Sequence, residues 1–403
     1  MPDDGSQLLT GPGIAPLLEA AVAHAGGRLL RWSLDQVDSS PEKYTTATYR
    51  AHVAWSYGER TEMLGVSTRA GDLEPSDANA LIFEDGFRRA AVWLYPKDPD
   101  LPGLNRAAFP QTMAEILNEH RVLPTPVVAE QVQLTMIGYR PRRRAVVKVE
   151  VPSHGATFYT KVLRERFFAD IVNKHTILRA AGVPAPEVLA TTPDHLLLLR
   201  ALPGVPLAEA IFDEEAPCKA EQLIGILDAM PPSVAKLERR SAWSDSVQHY
   251  ARLVEHPMPE IARELEWLVN QISSGLVGLS KGEEPTHGDF HEGQLHVAGG
   301  RIAGILDIDT IGPGRRADDL ACLVAHLVTT GGMNTEQEER VRALLAAWVP
   351  VFDRRVDPVE LRLRAAAAII SLATIPYRLQ EAGWRRQTEA MIGSATALVR
   401  QVV

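Results

Sequence analysis

Residues 286–309 form the segment that most constrains the fold, because two polar loops are joined there by short apolar runs and a Gly-Gly turn at 299–300. Glycine adopts the positive φ angles that a tight hairpin turn needs. The pattern therefore predicts two short paired strands inside an otherwise helical stretch. We expect this hairpin to return Asp307 beside Gln294, which follows Asp289 by five residues.

The polar side chains of this segment indicate phosphoryl-transfer chemistry. Transfer from ATP needs a carboxylate that accepts the hydroxyl proton and oxygen ligands that hold magnesium on the phosphates. Asp289 is the candidate base, Gln294 and Asp307 are candidate metal ligands, and Asp309 either reaches a second metal or supports the loop. A single His-Gly-Asp or Asp-x-Asp motif is usually only a polar turn. The prediction therefore depends on the order of the motifs along the chain.

Three motifs, HGDFHEGQ, ILDID and GPGRRADDLA, follow in the order typical of the aminoglycoside phosphotransferase and choline kinase-like family. The chain resembles this family over roughly residues 130–330, and the family is similar in fold to protein kinases. The resemblance implies ATP and Mg²⁺ as cofactors, Asp289 as base, Asp307 as principal magnesium ligand and Asp319 as a buried aspartate. Gln294 replaces the family's asparagine, as in maltokinase-like sugar kinases, and this favours a sugar acceptor.

The distribution of apolar residues predicts an α+β chain in three parts. Residues 1–125 read as a strand-rich N-terminal cap, with a helical pattern over residues 8–34, strands at 47–57, 61–68, 78–83 and 87–95, and a helix near 111–119. Residues 126–203 carry three strands, a helix and a further strand, and residues 204–403 are mainly helical. The resemblance makes the last two parts the nucleotide-binding and helical lobes of a bilobal protein kinase-like fold. The cap either braces the nucleotide-binding lobe or binds a partner.

Lys161, within TFYTKVL, matches the strand lysine that contacts the ATP phosphates in kinase-like folds. A lone strand lysine is otherwise usually a solvated charge. Asp170 in the following helix is the candidate carboxylate partner of this lysine, and Glu165 is the reserve.

Residues 139–144, YRPRRR, occupy the position of a phosphate-covering loop but lack its glycine-rich pattern. Backbone amides and arginine charge would have to bind the phosphate, and a solvated basic turn is equally open. By the same resemblance, the adenine is received by the backbone of Arg200, Ala201 and Leu202.

Several further side chains have weaker indications. His291 is more typical of a loop-organising histidine than of a general base. Arg315 and Arg316 either reach a phosphate or form surface ion pairs with Asp318, and the ion pairs are favoured. A possible acceptor pocket in the C-terminal helices is lined by Tyr377, Glu381 and Trp384.

The composition of the chain limits the classes of partner that it is expected to bind. The formal net charge of −9 argues against nucleic acid as the main partner, and we expect no membrane span and no signal peptide. The two cysteines, Cys218 and Cys322, are expected to be reduced core residues of a cytoplasmic protein. The predicted activity is transfer of a γ-phosphate to a hydroxyl of a sugar, aminosugar or aminoglycoside by a monomer or homodimer. The alternative is a nucleotide-binding regulatory protein with little or no turnover.

Overall fold

The computed structural model describes residues 4–40, 43–71, 73, 79–84 and 89–403. The chain divides into two compact units, of which the first comprises Met1–Ala169, Val188–Ala201 and Tyr377–Ala382. The second comprises Asp170–Glu187, Leu202–Pro376 and Gly383–Val403. The first unit contains antiparallel sheets and the second is mainly helical, so the predicted α+β class is confirmed. The predicted boundary near residue 125 lies inside the first unit and stays a prediction.

The first unit is built on two five-stranded antiparallel sheets with strand orders β1-β2-β3-β5-β4 and β6-β7-β8-β10-β9. Its strands are β1 Arg28–Ser40, β2 Tyr44–Trp55, β3 Gly58–Ser67, β4 Leu81–Glu84, β5 Arg89–Leu94, β6 Gln133–Arg140, β7 Arg144–Val151, β8 Ala156–Leu163, β9 Val188–Thr191 and β10 Leu196–Arg200. Its helices are α1 Ser6–Thr10, α2 Ala15–His24, α3 Leu104–Ala107 and α4 Pro110–Glu119, and helix α5, Glu165–Ala180, begins in this unit.

The helix predicted over residues 8–34 is wrong in its last third. Helix α2 ends at His24, and Gly26, with φ 87°, starts the turn that leads into strand β1. The apolar residues after this turn pair with strand β2, Leu29 lying opposite Val53 and Leu34 opposite Tyr49. Sheet pairing therefore overrides the helical pattern. Residue 78 of the third predicted strand and residues 87–88 of the fourth lie outside the described residues.

Buried hydrogen bonds join strand β5 and the segment after it to strand β6 and the turn that follows β6. The indole Nε1 of Trp93 donates to Tyr139 Oη over 2.9 Å, and Tyr139 Oη donates to Asp98 Oδ2 over 2.7 Å. The backbone N–H of Arg142 donates to the same carboxylate oxygen over 2.7 Å. Helix α4 also contributes Met113 to an apolar cluster that includes the inward side chains of strands β6 to β8. These contacts lie within the first unit, and a bracing role of the predicted cap stays a prediction.

The second unit carries its helices around two small sheets, with strand orders β11-β13-β14 and β12-β15. Its strands are β11 Val205–Pro206, β12 Glu284–Thr286, β13 Leu295–Ala298, β14 Arg301–Ile305 and β15 Gly312–Gly314. Its helices, besides most of α5, are α6 Leu207–Ala210, α7 Ala220–Asp228, α8 Val247–Glu255, α9 Ala262–Gly275, α10 Arg316–Thr329, α11 Thr335–Arg355, α12 Pro358–Leu372, α13 Ile375–Arg378, whose second half belongs to the first unit, and α14 Trp384–Val399.

The core of the second unit fixes its two small sheets against helices. Phe290, Leu295, Ile305 and Ile308 are buried in one apolar cluster with residues of helices α7, α10 and α11. Cys218 and Cys322 are buried and free, as predicted. Across the described ranges, no helix combines the length and apolarity needed to cross a membrane. The loops between the small strands are thus held on a rigid base.

Candidate active site

The predicted hairpin is present and joins the first and second motifs. Strands β13 and β14 pair from Leu295 and Ile305 to a turn at Gly299 and Gly300, whose φ angles are 56° and 71°. The N–H of Leu306 then donates to the carbonyl oxygen of Gln294 over 2.7 Å. Since Asp307 follows Leu306 directly, the hairpin brings residues 294 and 307 together at its open end.

His287 fixes the loop that carries Asp289. Its buried ring donates from Nε2 to the carbonyl oxygen of Leu306 over 2.8 Å, so Nδ1 is left as the acceptor for the N–H of Asp289 at 3.3 Å. Thr310 Oγ1 donates to the carbonyl oxygen of His287 over 2.8 Å. Gly288, with φ 82°, is required here because a Cβ would lie 2.8 Å from the Thr310 carbonyl oxygen. The Asp289 loop is thereby locked onto residues 306–310.

Asp319 holds the same loop from helix α10. Its Oδ2 accepts the N–H of His287 at 3.0 Å, and its Oδ1 accepts the N–H of Gly288 at 2.8 Å. The guanidinium Nη1 of Arg316 lies 3.3 Å from Oδ2. Burial raises the pKa of this carboxyl, whereas Arg316, His287 and the two N–H groups lower it. The fully buried carboxylate is thus a structural cradle for the residues on either side of Gly288.

Asp307 adopts a left-handed backbone conformation, with φ 45° and ψ 50°. Aspartate is one of the few residues besides glycine that reach this region, and such backbone strain is concentrated at functional sites. The carboxylates of Asp307 and Asp309 and the amide oxygen of Gln294 are the hard oxygen donors that Mg²⁺ prefers. The residues at the open end of the hairpin therefore fit a magnesium ion by donor chemistry and by chain placement.

Lys174, which sequence reasoning missed, supports this hairpin from helix α5. Its fully buried ammonium group donates to the carbonyl oxygen of Asp309 over 2.7 Å and lies 2.8 Å from Asp170 Oδ2. Asp170 was the predicted partner of Lys161, and a nucleotide role for Asp170 stays a prediction. The reserve candidate, Glu165, is exposed. An Asp-Lys pair spaced four residues apart on one helix was the signal that could have found Lys174.

Lys161 lies in the middle of strand β8, opposite Val146 and Leu197. Its relative exposure is 6%, so the alternative of a solvated strand lysine is wrong. Its contact with a nucleotide phosphate stays a prediction.

The three predicted adenine-contacting residues lie where the chain passes between units. Arg200 ends strand β10 opposite Phe158, the first unit ends at Ala201, and the second resumes at Leu202. The backbone N–H of Ala201 is 3.4 Å from the carbonyl oxygen of Thr157. A nucleotide contact by these residues stays a prediction.

His291 positions the side chain of Gln294. Its Nδ1 accepts the N–H of Gly293 at 3.1 Å, and its Nε2 lies 3.0 Å from the amide atom of Gln294 that is placed as Nε2. Burial and the neighbouring His326 lower the pKa of His291 to about 4, so the ring is neutral. A neutral ring that accepts at Nδ1 carries its proton at Nε2, and the amide oxygen of Gln294 must therefore face it. This contact is the organising role expected of His291.

The sequence reading missed the cluster around His291. Its ring stacks on His326 with centroids 3.9 Å apart, and His326 Nδ1 lies 3.7 Å from Glu292 Oε1. The three side chains offer ligand atoms within 4.8 Å of one another, but the two rings are nearly parallel, at 6°. Nitrogen lone pairs lie in the ring planes, so they do not converge on one ion. The cluster is better suited to holding the loop in place.

Cys322 reaches the candidate base itself. Its Sγ is 3.9 Å from Asp289 Oδ1, and burial raises the pKa of the thiol well above its usual range, so it remains a neutral donor. Asp319, Cys322 and His326 are spaced three and four residues apart and therefore share one face of helix α10. This spacing was the signal that could have identified them.

The expected ion pairs of Arg315 and Arg316 with Asp318 are wrong. Arg315 Nε lies 2.5 Å from Glu360 Oε1, and Arg316 pairs with Asp319 and with Asp228. Asp318 instead accepts from Arg364 at 2.6 Å. Arg315 thus binds an acid of helix α12, whereas Arg316 binds Asp319 of its own helix α10 and Asp228 at the end of helix α7.

The three candidate acceptor-pocket residues fall into different units. Tyr377 and Glu381 belong to the first unit, and Trp384 begins helix α14 in the second. Their contact with an acceptor stays a prediction.

A family model described as the phosphotransferase enzyme family matches residues 137–357, more than half of the chain. An uncharacterized protein of Deinococcus radiodurans is 28% identical over 155 residues, which are 37% of this chain and 43% of that protein. This chain thus spans less than half the length of that curated relative.

Among solved structures, one similar chain is aminoglycoside phosphotransferase APH(4)-Ia in a ternary complex with AMP-PNP and hygromycin B. It is 15% identical, with TM-score 0.49, over 72% of this chain and 98% of that one. A Plasmodium vivax ethanolamine kinase is 13% identical, with TM-score 0.46, over 72% of this chain and 90% of that one.

Proposed function

The chain belongs to the phosphotransferase enzyme family and has its kinase-like α+β fold, and from this premise we propose that it transfers the γ-phosphate of ATP to a hydroxyl of a sugar, aminosugar or aminoglycoside. The observation that carries the proposal is the hydrogen-bonded arrangement of the second unit, in which His287 and Asp319 lock the Asp289 loop onto the Gln294–Asp307 hairpin. The arrangement supplies a carboxylate and a set of oxygen ligands on connected loops, which is what phosphoryl transfer requires.

Asp289 acts as the catalytic base in this proposal. Its carboxylate orients the acceptor hydroxyl and takes its proton as the oxygen attacks the γ-phosphorus, and the bond to the ADP leaving oxygen breaks. The neutral Cys322 thiol beside Oδ1 leaves the negative charge on the carboxylate. The proton then passes to solvent after the phosphorylated product leaves. Because positioning and charge neutralisation supply most of the rate, the fixed loop is as important as the base itself.

Magnesium would be held by Gln294 and Asp307, with Asp309 in a supporting role. When bound, the ion neutralises charge on the transferred phosphoryl group. Lys161 would contact the α- and β-phosphates, and Arg200, Ala201 and Leu202 would receive the adenine. Asp170, which binds Lys174 at 2.8 Å, would serve the nucleotide as a helix carboxylate. Of these, Asp309 is tied by its backbone to Lys174, so its main task is to keep the hairpin end in place.

The extra methylene of Gln294 makes its metal contact dependent on His291. Replacing His291 by alanine removes the group that orients the amide oxygen, and a lost hydrogen bond of about 1 kcal/mol corresponds to roughly a fivefold higher Mg²⁺ requirement. We expect a Mg²⁺ titration of the transfer rate to show this shift. His296→Ala is the matched control, because His296 lies on the same hairpin and contacts Pro203 instead.

A double variant separates orientation from general damage to the loop. The shorter side chain in Gln294→Asn does not reach the ring of His291, so His291→Ala should have little further effect on the Mg²⁺ requirement in that background. An equal shift in both backgrounds, or no shift in His291→Ala alone, would contradict the positioning role.

The proposed activity is tested by following product formation over a panel of sugars, aminosugars and aminoglycosides with ATP and Mg²⁺. Detection of a phosphorylated acceptor, with ADP formed in equal amount, is the expected result. In the turn at residues 141–143, the N–H groups of Arg142 and Arg143 are bound within the first unit, which favours the alternative of a regulatory protein that binds nucleotide with little turnover. Nucleotide binding without transfer to any member of the panel would support that alternative.

A further inference from the structure

The turn between strands β6 and β7 is anchored to the cap through Arg142. This residue has φ 59°, and its side chain, 3% exposed, lies with Nε 3.2 Å from Asp100 Oδ2 and donates to the carbonyl oxygen of Arg69. Its backbone N–H is bound by Asp98, as described above. Buried contacts at both the backbone and the side chain fix the conformation of the turn. The prediction of a solvated basic turn is therefore wrong for its central residue.

This turn has no backbone donors left for a phosphate. Pro141 has no N–H, the N–H of Arg142 is bound by Asp98, and the N–H of Arg143 donates to the carbonyl oxygen of Arg140 over 3.0 Å. Phosphate-covering loops bind their ligand largely through such backbone N–H groups. Anion binding at this turn therefore depends on arginine side chains.

Three guanidinium groups of the first unit gather around one carboxylate. Arg143 Nη1 is 3.1 Å and Arg140 Nη2 is 3.7 Å from the same oxygen, Oδ2 of Asp38 in strand β1. Arg378, from the end of helix α13, is close enough to lower the pKa of Arg140 and to interact with Asp38. These three arginines and Asp38 together carry an excess of two positive charges, and Arg144 is close enough to lower the pKa of both Arg140 and Arg378 as well.

Burial makes the repulsion between these positive charges stronger. Together with Arg378 and Arg143, burial lowers the pKa of Arg140 to about 10, and burial also lowers the pKa of Arg378. Asp38 acts in the opposite direction and raises the pKa of both groups. Like charges held together in a partly desolvated place repel one another, and an added anion relieves that repulsion.

The cluster is also open to a ligand. The side chain of Arg143 is 58% exposed and that of Arg140 is 36% exposed. The planar guanidinium fork binds two oxygens of a phosphate or carboxylate at once. We propose that Arg140, Arg143 and Arg378 bind an oxyanion of a small molecule, a phosphate or a carboxylate group, at a site separate from the nucleotide.

The bound oxyanion takes the place of Asp38 beside Arg143. Asp38 therefore competes with the ligand for the arginines, and removing its charge is expected to raise the affinity for the anion. If Asp38 were only the structural counter-ion of the arginines, its removal would loosen the cluster and weaken any anion binding. If it competes, removing its charge strengthens anion binding.

The test is a calorimetric titration of the full chain with inorganic phosphate and, separately, with malonate, at saturating non-hydrolysable ATP analogue and Mg²⁺. One site is expected for at least one of the two anions. Arg143→Gln and Arg378→Gln should each weaken it about tenfold or more, because each removes charge-assisted hydrogen bonds. Asp38→Asn should strengthen it severalfold. Arg60→Gln, an exposed position on strand β3 whose guanidinium lies over Tyr57, is the matched control with no expected change.

The proposal is overturned if neither anion binds while the nucleotide site is saturated, if the two arginine variants bind like the parent chain, or if Asp38→Asn weakens binding. Thermal unfolding of each variant reports whether it folds. Should Arg378→Gln unfold, the exposed Arg143→Gln decides alone. The same titration without nucleotide keeps the anion site testable even if the chain proves to have no transferase activity.

Discussion

Asp289→Asn is expected to lower the rate of phosphoryl transfer by about 10²–10⁴-fold, the range that a positioned general base contributes. Asparagine has nearly the same shape, so the loop held by His287 and Asp319 should keep its conformation. The asparagine amide cannot accept the hydroxyl proton, so the variant should lose turnover rather than structure. The measurement is the transfer rate at saturating ATP and acceptor, with nucleotide affinity determined in parallel.

Asp307→Asn is the matched comparison for this variant. It changes one carboxylate on the same connected loops, but at the residue assigned to the metal. We expect it to weaken Mg²⁺-dependent nucleotide binding, whereas Asp289→Asn should leave nucleotide binding nearly unchanged. A transfer rate within a few fold of the parent in Asp289→Asn would contradict the assignment of Asp289 as base. Equal losses of nucleotide binding in both variants would place Asp289 at the metal instead.

The parts of this site that could be predicted are those with a local sequence signal. The Gly-Gly turn sets the hairpin through two adjacent φ angles, and the hairpin alone is enough to return Asp307 to the neighbourhood of Gln294. Strands β6, β7 and β8 are the three strands predicted at the start of residues 126–203, because their β-branched runs are bounded by turn formers. Interactions between residues close in the sequence determine the conformation of these elements.

The parts that could not be predicted depend on contacts between distant residues. Nothing near Asp98 in the sequence indicates that it binds Tyr139 and Arg142, and nothing near Lys174 indicates the carbonyl oxygen of Asp309. Residues 28–34 were predicted as helix because Ala and Leu dominate the preceding stretch, whereas pairing with β2 decides their conformation. Arg315 binds Glu360 of helix α12 instead of its sequence neighbour Asp318 for the same reason. Each of these errors reflects a tertiary contact that overrides a local preference.

The Asp319 carboxylate joins helix α10 to the loop that carries Asp289. It accepts two consecutive backbone N–H groups and lies against the buried Arg316 guanidinium. Removing it leaves two N–H groups and most of a positive charge buried without that partner. The loss of one member of such a buried pair costs about 3–5 kcal/mol, since the desolvation of the remaining groups is no longer compensated.

Asp319→Ala is therefore expected to lower the free energy of unfolding by about 3–5 kcal/mol, measured by urea denaturation. Asp228→Ala is the matched control, because Asp228 binds the same guanidinium at 3.2 Å from a half-exposed position, and an exposed ion pair contributes at most about 1 kcal/mol. If both variants lose the same amount, the cradle does not stabilise the loop. Hydrogen exchange at the amides of His287 and Gly288 tests the same claim locally. Those two N–H groups should exchange much faster in Asp319→Ala than in the parent chain, and at the parent rate in Asp228→Ala. Rapid exchange of these two N–H groups in the parent chain would show that Asp319 does not hold the loop that carries Asp289. The proposal that a fixed loop positions Asp289 for catalysis would then fail.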